Sequence, residues 1–285
     1  MKSLIFLPTN FQSGKFFFIL SIFLLLSLQN YAQGDLLIYP KRLSFEGTQN
    51  RVQIVNLNNK GKDSTTYKIS FIENRMNEDG KFEIIETPDP GQLFASPYLR
   101  FYPRNITLAP NETQVIKVQL VKTGELEPGE YRSHLYFQPV LKPKALDKNE
   151  PASNSEGISL LIEPVYGISI ASIIRIGEPK AEVNLTNLAF EKFNGEIPII
   201  SLDFQRKGNA SVYGDIKVYH ISANGKKTSV GDSKGFAVYT PGNLRKARLK
   251  LREIDEVNYE QGKLVVTYTS QGPKKDVYAE AVLQL

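Results

Sequence analysis

The chain has 285 residues, carries 35 Lys and Arg against 30 Asp and Glu for a formal charge of +5, and contains no cysteine. That length leaves room for two domains, each burying its own core, and the absence of cysteine excludes disulfides and thiolate metal sites, so packing must stabilise the fold. The cations are interspersed with acids and no basic run with interleaved aromatics occurs, which argues against nucleic acid as a partner.

At the N-terminus, Lys2 and Lys15 precede the apolar run Phe16–Leu28 and then Gln29-Asn30-Tyr31-Ala32-Gln33. This reads as a secretory signal peptide over residues 1–32, cleaved after Ala32. The run falls short of the ~20 residues a spanning helix needs, so no stable membrane insertion is expected after cleavage. The segment takes two lysines and no acid with it, leaving a mild +3.

The body reads as strands separated by turn signals. The first half gives Leu36–Tyr39, Arg51–Asn56, Thr66–Glu73, Tyr98–Tyr102, Thr113–Val121 and Tyr131–Gln138. Residues 115–120 alternate most clearly, with the period of two that a half-buried strand requires. The stretch 139–157, rich in Pro, Lys, Asn and Ser, is predicted to be a mobile loop. The next segment, between Gly157 and Gly177, carries only Glu163 as a charge before Arg175. Pro164 and Gly167 disfavour a helix there, and Pro164 places its part of the segment on a sheet edge. Two readings are open: a long apolar edge that a partner covers, or a buried strand crossing the contact between domains.

Gly177-Glu178-Pro179 marks the predicted boundary, giving domains over residues 33–176 and 177–285. The second half repeats the strand pattern at Ile199–Gln205, Ser211–Ile221, Phe236–Tyr239, Arg245–Leu251, Lys263–Thr269 and Val277–Leu285. Its turn before Arg245 echoes Leu108–Glu112, and the turn before Lys263 echoes Glu127–Tyr131, as two related sandwiches would.

Catalytic signatures are lacking. His134 and His220 lie in predicted strands of different domains, and the sequence has no G-x-S-x-G, P-loop or dinucleotide fingerprint. Glu83, Glu86 and Asp89 cluster near a turn, where a solvated face explains them. Four Asn-x-Ser/Thr triplets, at Asn105, Asn111, Asn184 and Asn209, fit a glycosylation pattern that is common by chance. No enzyme activity and no cofactor or metal is expected.

Four segments, in order, carry a resemblance: Tyr39–Gly47 with Val52–Leu57, Tyr98–Pro103, Leu108–Gln114 and Pro128–Leu135. Together they resemble the periplasmic pilus (fimbrial) assembly chaperones, the PapD-like proteins, over most of residues 36–176; the second half matches in size, β-pattern and position. The resemblance implies an all-β fold of two immunoglobulin-like β-sandwich domains in a boomerang arrangement. It implies a periplasmic chaperone that binds exported pilin-like or surface-structure subunits without ATP, with an outer-membrane usher as a further partner. Such a chaperone lends the last strand of its first domain to a subunit whose own sandwich lacks one. Backbone hydrogen bonds supply affinity in that mode and alternate side chains enter the groove. With period two, Leu160, Ile162, Tyr166, Ile168 and Ile170 are the side chains expected to insert. The rival is a secreted immunoglobulin-like structural or adhesive protein in which this strand is internal.

By the same resemblance, Arg42 falls at the cleft arginine that grips a client's C-terminal carboxylate, which a guanidinium can do through two parallel hydrogen bonds. The family's companion lysine, four residues before Arg175, is here Ala171, and either Lys41 or Arg175 would supply the second charge. Where the family has a Glu before a Ser, this chain has Arg132 before Ser133, so Arg175 is expected to face a like charge. The cysteine pair of the family's long-loop branch is absent.

Overall fold

The structure, a computed structural model, describes residues 36–140, 165–271 and 275–285, and its elements are strands apart from two short 3-10 turns. The first set of strands is β1 (Leu36–Tyr39), β2 (Arg42–Glu46), β3 (Val52–Asn59), β4 (Thr65–Ile72), β5 (Asn74–Met76), β6 (Phe82–Ile84), β7 (Leu99–Tyr102), β8 (Asn105–Leu108), β9 (Thr113–Leu120), β10 (Gly129–Val140) and β11 (Ile168–Ile176). The second set is β12 (Ala181–Phe193), β13 (Ile197–Gly208), β14 (Val212–Ile221), β15 (Lys227–Val238), β16 (Leu244–Lys250), β17 (Lys263–Ser270) and β18 (Val277–Gln284).

In the first sandwich the sheet β1-β3-β9-β7 packs on the sheet β2-β11-β10-β4-β8, and β5 with β6 forms a separate hairpin. In the second, β12-β13-β16 packs on β15-β14-β17-β18. Alternation builds both cores. Ile116, Val118 and Leu120 of β9 point inward with Val55 and Leu57 of β3, while Lys117 and Gln119 stay outside. Val212, Ile216 and Val218 of β14 meet Phe204, Val266 and Tyr268 in the second core. The first sandwich also has the tyrosine corner of immunoglobulin-like folds: the Tyr131 hydroxyl donates to the Glu127 carbonyl at 3.1 Å and accepts from its N–H at 2.9 Å.

One irregularity positions the site. After β1 the chain leaves its sheet at Pro40, which has no N–H to give a ladder, and resumes as β2 in the opposite sheet. There β2 runs parallel to β11, with Arg42 opposite Ala171 and Glu46 opposite Arg175. Residues 171–175 of β11 are therefore central, held by β2 on one side and β10 on the other. This corrects the expectation of an edge for that part of the segment. Ile168, Ser169 and Ile170 pair with β10 alone, so among the described residues the open edge begins at Ile170 and runs upstream.

Candidate functional site

β10 and β11 meet the second sandwich through one face. In β10 the odd positions Tyr131, Leu135 and Phe137 fill the first core. The even positions Glu130, Arg132 and His134 point the other way and are nonetheless buried. In β11 Ile170 and Ile174 belong to the first core, whereas Ala171 and Ile173 pack against Ala237 and Tyr239 of the second sandwich, with Met76 and Tyr213 at the margin.

Charged groups close this junction. Arg175 Nε donates to Glu130 Oε2 at 2.9 Å and its Nη1 to Glu46 at 3.3 Å. Glu130, 4% exposed, also accepts the Ser211 N–H at 3.0 Å, the Ser211 hydroxyl, and the Thr240 hydroxyl at 3.3 Å. Burial opposes the charge on Arg175, but the charge and hydrogen bond of Glu130, with Glu46, outweigh it and raise the pKa of Arg175. The expected like-charge conflict does not arise: the register sets Arg175 opposite Glu130 and Arg132 opposite Ile173. Arg132 instead donates Nη2 to the carbonyls of Asn74 and Thr240, each at 3.2 Å, and lies 4.6 Å from the centre of the Tyr239 ring. Burial pulls its pKa down, against the opposing influence of Tyr239, Glu130 and Glu73.

Above this closed part is a cleft of about 420 Å³ between the sandwiches. Arg42, Glu46 and Arg175 line it from one side and Ser211, Tyr213 and Tyr278 from the other. Arg42 opens β2 and is half-buried, and its guanidinium carbon lies 4.2 Å from the centre of the Tyr213 ring. Its Nη1 is buried without a hydrogen-bond partner, and among the described residues no carboxylate pairs with it. Arg132 Nε and Nη1 and Arg245 Nε are likewise buried without a partner. Arg42 differs from Arg132 in lining the cleft, where an acceptor from outside can relieve the cost of an unpaired donor.

The other nominated residues divide. Lys41 is exposed on the bend before β2, outside the residues lining the cleft. Arg175 lines the cleft but is engaged by Glu130 and Glu46, so it is no free second cation. Tyr166 is 81% exposed. Ile168 is half-buried against the first core, and Ile170 is 5% exposed within it. Insertion of Ile170 into a partner is therefore corrected: the pleat that was expected to aim it outward aims it into its own sandwich. Leu160 and Ile162, the signal peptide and nearly all of the predicted loop lie outside the described residues. Of the carboxylates near the turn, Asp89 is held by Arg75 through two bonds of 2.8 and 2.7 Å, Glu83 lies 3.8 Å from the same guanidinium, and Glu86 is exposed.

Sequence reasoning missed Glu130, Ser211, Tyr213, Tyr239 and Thr240. The signal for Glu130 was present in Glu130-Tyr131-Arg132-Ser133-His134, a strand with charge on alternate positions. Such a pattern ordinarily means a solvated face, and here that face meets the second sandwich.

A protein of two immunoglobulin-like sandwiches, joined by a buried polar network and carrying an arginine cleft beside an open strand edge, is the class these features define. No family model and no curated protein matches the chain. Among solved structures it is similar to the Csu chaperone–tip subunit complex of Acinetobacter baumannii, at 13% identity and TM-score 0.42, covering 86% of this chain and 97% of that one. It is similar to the class 5 fimbriae chaperone CfaA at 18% identity and TM-score 0.38, covering 87% and 98%. A Salmonella enterica complex of the SafA pilin with the SafB chaperone gives 12%, 0.38, 89% and 96%. At such values the fold rests on this chain's own strand register.

Proposed function

We propose that the chain is an assembly chaperone of the PapD-like kind, exported to the periplasm, where it holds pilin-like or other surface-structure subunits by lending them a strand. The observation that carries this reading is Arg42: a half-buried guanidinium with an unpaired buried donor that lines the cleft and, as the first residue of β2, stands opposite Ala171, next to Ile170 where the free edge of β11 begins. A carboxylate at the end of a client chain would satisfy that donor. The client's preceding residues would then run along Ile170, Ser169, Ile168 and upstream, adding backbone bonds where β11 has β10 on one side only.

Two features restrict the reading. Ile170 is spent on its own core, so the inserting side chains are Tyr166 and those upstream, Leu160 and Ile162 among them. Arg42 acts without a second free cation from Arg175. The four segments that resemble the chaperones support the reading as well. An outer-membrane usher as acceptor of the held subunit belongs to it.

The test is co-purification from the periplasm followed by mass spectrometry, with wild type and Arg42→Ala side by side. A defined exported subunit should travel with the wild type, and the variant should lose it by about 2–5 kcal/mol of binding, the range for removing one partner of a buried charge pair. Equal recovery with both proteins would remove Arg42 from the mechanism. Absence of any exported subunit would favour the rival, a secreted structural protein.

A further inference from the structure

The second sandwich contributes to the carboxylate grip. We propose that Tyr213 is a positioning residue for Arg42, and that its ring, together with the small side chain of Ala171, takes the place of a second cation; this rests on the reading of Arg42 given above. Three observations carry it. The Arg42 guanidinium lies 4.2 Å from the centre of the Tyr213 ring, within the range in which the ring quadrupole attracts a cation. Tyr213 is the neighbour of Val212 and Ser211, which Glu130 fixes across the junction, so the ring is set by the packing of the two sandwiches. Its hydroxyl is close to Gly235, where an added Cβ would come within 2.7 Å of it. The hydroxyl thus points along β15, and what Arg42 meets is the ring.

Ala171 explains why this arrangement excludes a lysine. It is the register partner of Arg42 and is buried against Ala237 and Tyr239, with Tyr213 at the edge of the same cluster. A methyl group lets the second sandwich approach until Tyr213 reaches Arg42. A longer side chain would hold it away. Capture is accordingly coupled to domain position: a client carboxylate meets an arginine in a fixed orientation while the sandwiches are docked and a loose one when they part.

The experiment uses acetate as the carboxylate probe, with sodium chloride as control, on the full mature chain. The Arg42 Nε–H signal, assigned by its loss in Arg42→Ala, reports the ring directly through its ring-current shift. Wild type and Tyr213→Phe should both show the shifted signal and titrate with acetate alike. Tyr213→Leu should lose the shift and weaken acetate binding about fivefold to thirtyfold, the worth of a cation–π contact at a partly dry site. Ala171→Lys should act in the same direction as Tyr213→Leu. Unchanged backbone spectra away from the cleft in Tyr213→Leu, as in Tyr213→Phe, control for folding. Equal acetate affinity in wild type and Tyr213→Leu, an unshifted Arg42 signal in the wild type, or tighter acetate binding with an intact ring shift in Ala171→Lys would each overturn the proposal. If Arg42→Ala loses its client while Tyr213→Leu binds acetate as wild type does, the grip stands and the part of Tyr213 falls. If Arg42→Ala keeps its client, the grip itself falls.

Discussion

Glu130 is the acceptor on which the junction depends, since one buried carboxylate takes donors from Arg175, Ser211 and Thr240. Removing it strands those donors and leaves the Arg175 cation short of its main partner. Glu130→Ala should lower unfolding free energy by about 3 kcal/mol, at the lower end for breaking a buried pair because Arg175 keeps some water; urea titration monitored by tyrosine fluorescence measures it. His134 makes a second prediction. Burial, then the charge of Arg132, pushes its pKa from 6.5 down to about 3, in a site where Phe82 and Tyr239 rings face it. A depressed histidine is neutral when folded and takes a proton when unfolded. Its contribution is therefore complete above pH 6.5 and is lost as pH falls toward 3, by up to about 1.4 kcal/mol per pH unit. His134→Leu should flatten the fall in stability over that window relative to wild type. Parallel pH curves for the two proteins would rule the histidine out as its source.

At the scale of elements, β11 changes character along its length. Tyr166 lies before it and is exposed, Ile168 is half-buried, and Ile170 is enclosed. Three aspartates placed in turn should trace this gradient in thermal melts. Tyr166→Asp should stay within about 0.5 kcal/mol of wild type, as exposed substitutions do, and yet lose client capture. Ile170→Asp should cost several kcal/mol, because a carboxylate enters a packed core without a partner, and Ile168→Asp should fall between. A melt of Tyr166→Asp that drops as far as that of Ile170→Asp would show the whole segment to be internal and defeat strand donation from it. The same gradient explains what could be read in advance. Several strands were legible to within a few residues: Thr113–Leu120 announces itself through period two, and Leu36–Tyr39 and Lys263–Ser270 through short runs rich in apolar and β-branched residues between turn signals. The 13 residues of β12 did not, because its register shifts between Thr186 and Ala189, where Asn187 takes a positive φ of 52° and breaks the alternation. The hairpin of β5 and β6 is three residues a side, too short for any periodic signal. Arg42 was nominated through its motif, whereas Tyr213 had no local mark. Its role depends on a contact between sandwiches that neither sequence neighbourhood contains.

The molecule as a whole is held by contacts that each sandwich lacks alone. The hairpin of β5 and β6 lies between them: Phe82 meets Tyr239 at 6.1 Å, the Lys246 N–H donates to the Glu78 carbonyl at 2.7 Å, and Lys246 Nζ pairs with Glu78 at 2.8 Å. The surface pair adds little by itself. Tyr239 is the centre of the junction, because Arg132, His134 and Phe82 all approach its ring while Ala171 and Ile173 pack beside it. Glu130, Arg132 and His134 are polar positions of an otherwise ordinary strand, and burying them is tolerable only while the second sandwich supplies their partners. The two sandwiches should consequently unfold together, in one calorimetric transition at neutral pH whose van't Hoff and calorimetric enthalpies agree. Tyr239→Ala removes the common ring and about 3–5 kcal/mol of packing, the range for deleting a large buried aromatic. It should split the trace in two, the first sandwich melting earlier because its charged strand has lost its cover. A single transition in the variant, merely shifted to lower temperature, would mean that the docking of the domains rests on the Glu130 network and the hairpin and that the aromatic cluster only adds to it.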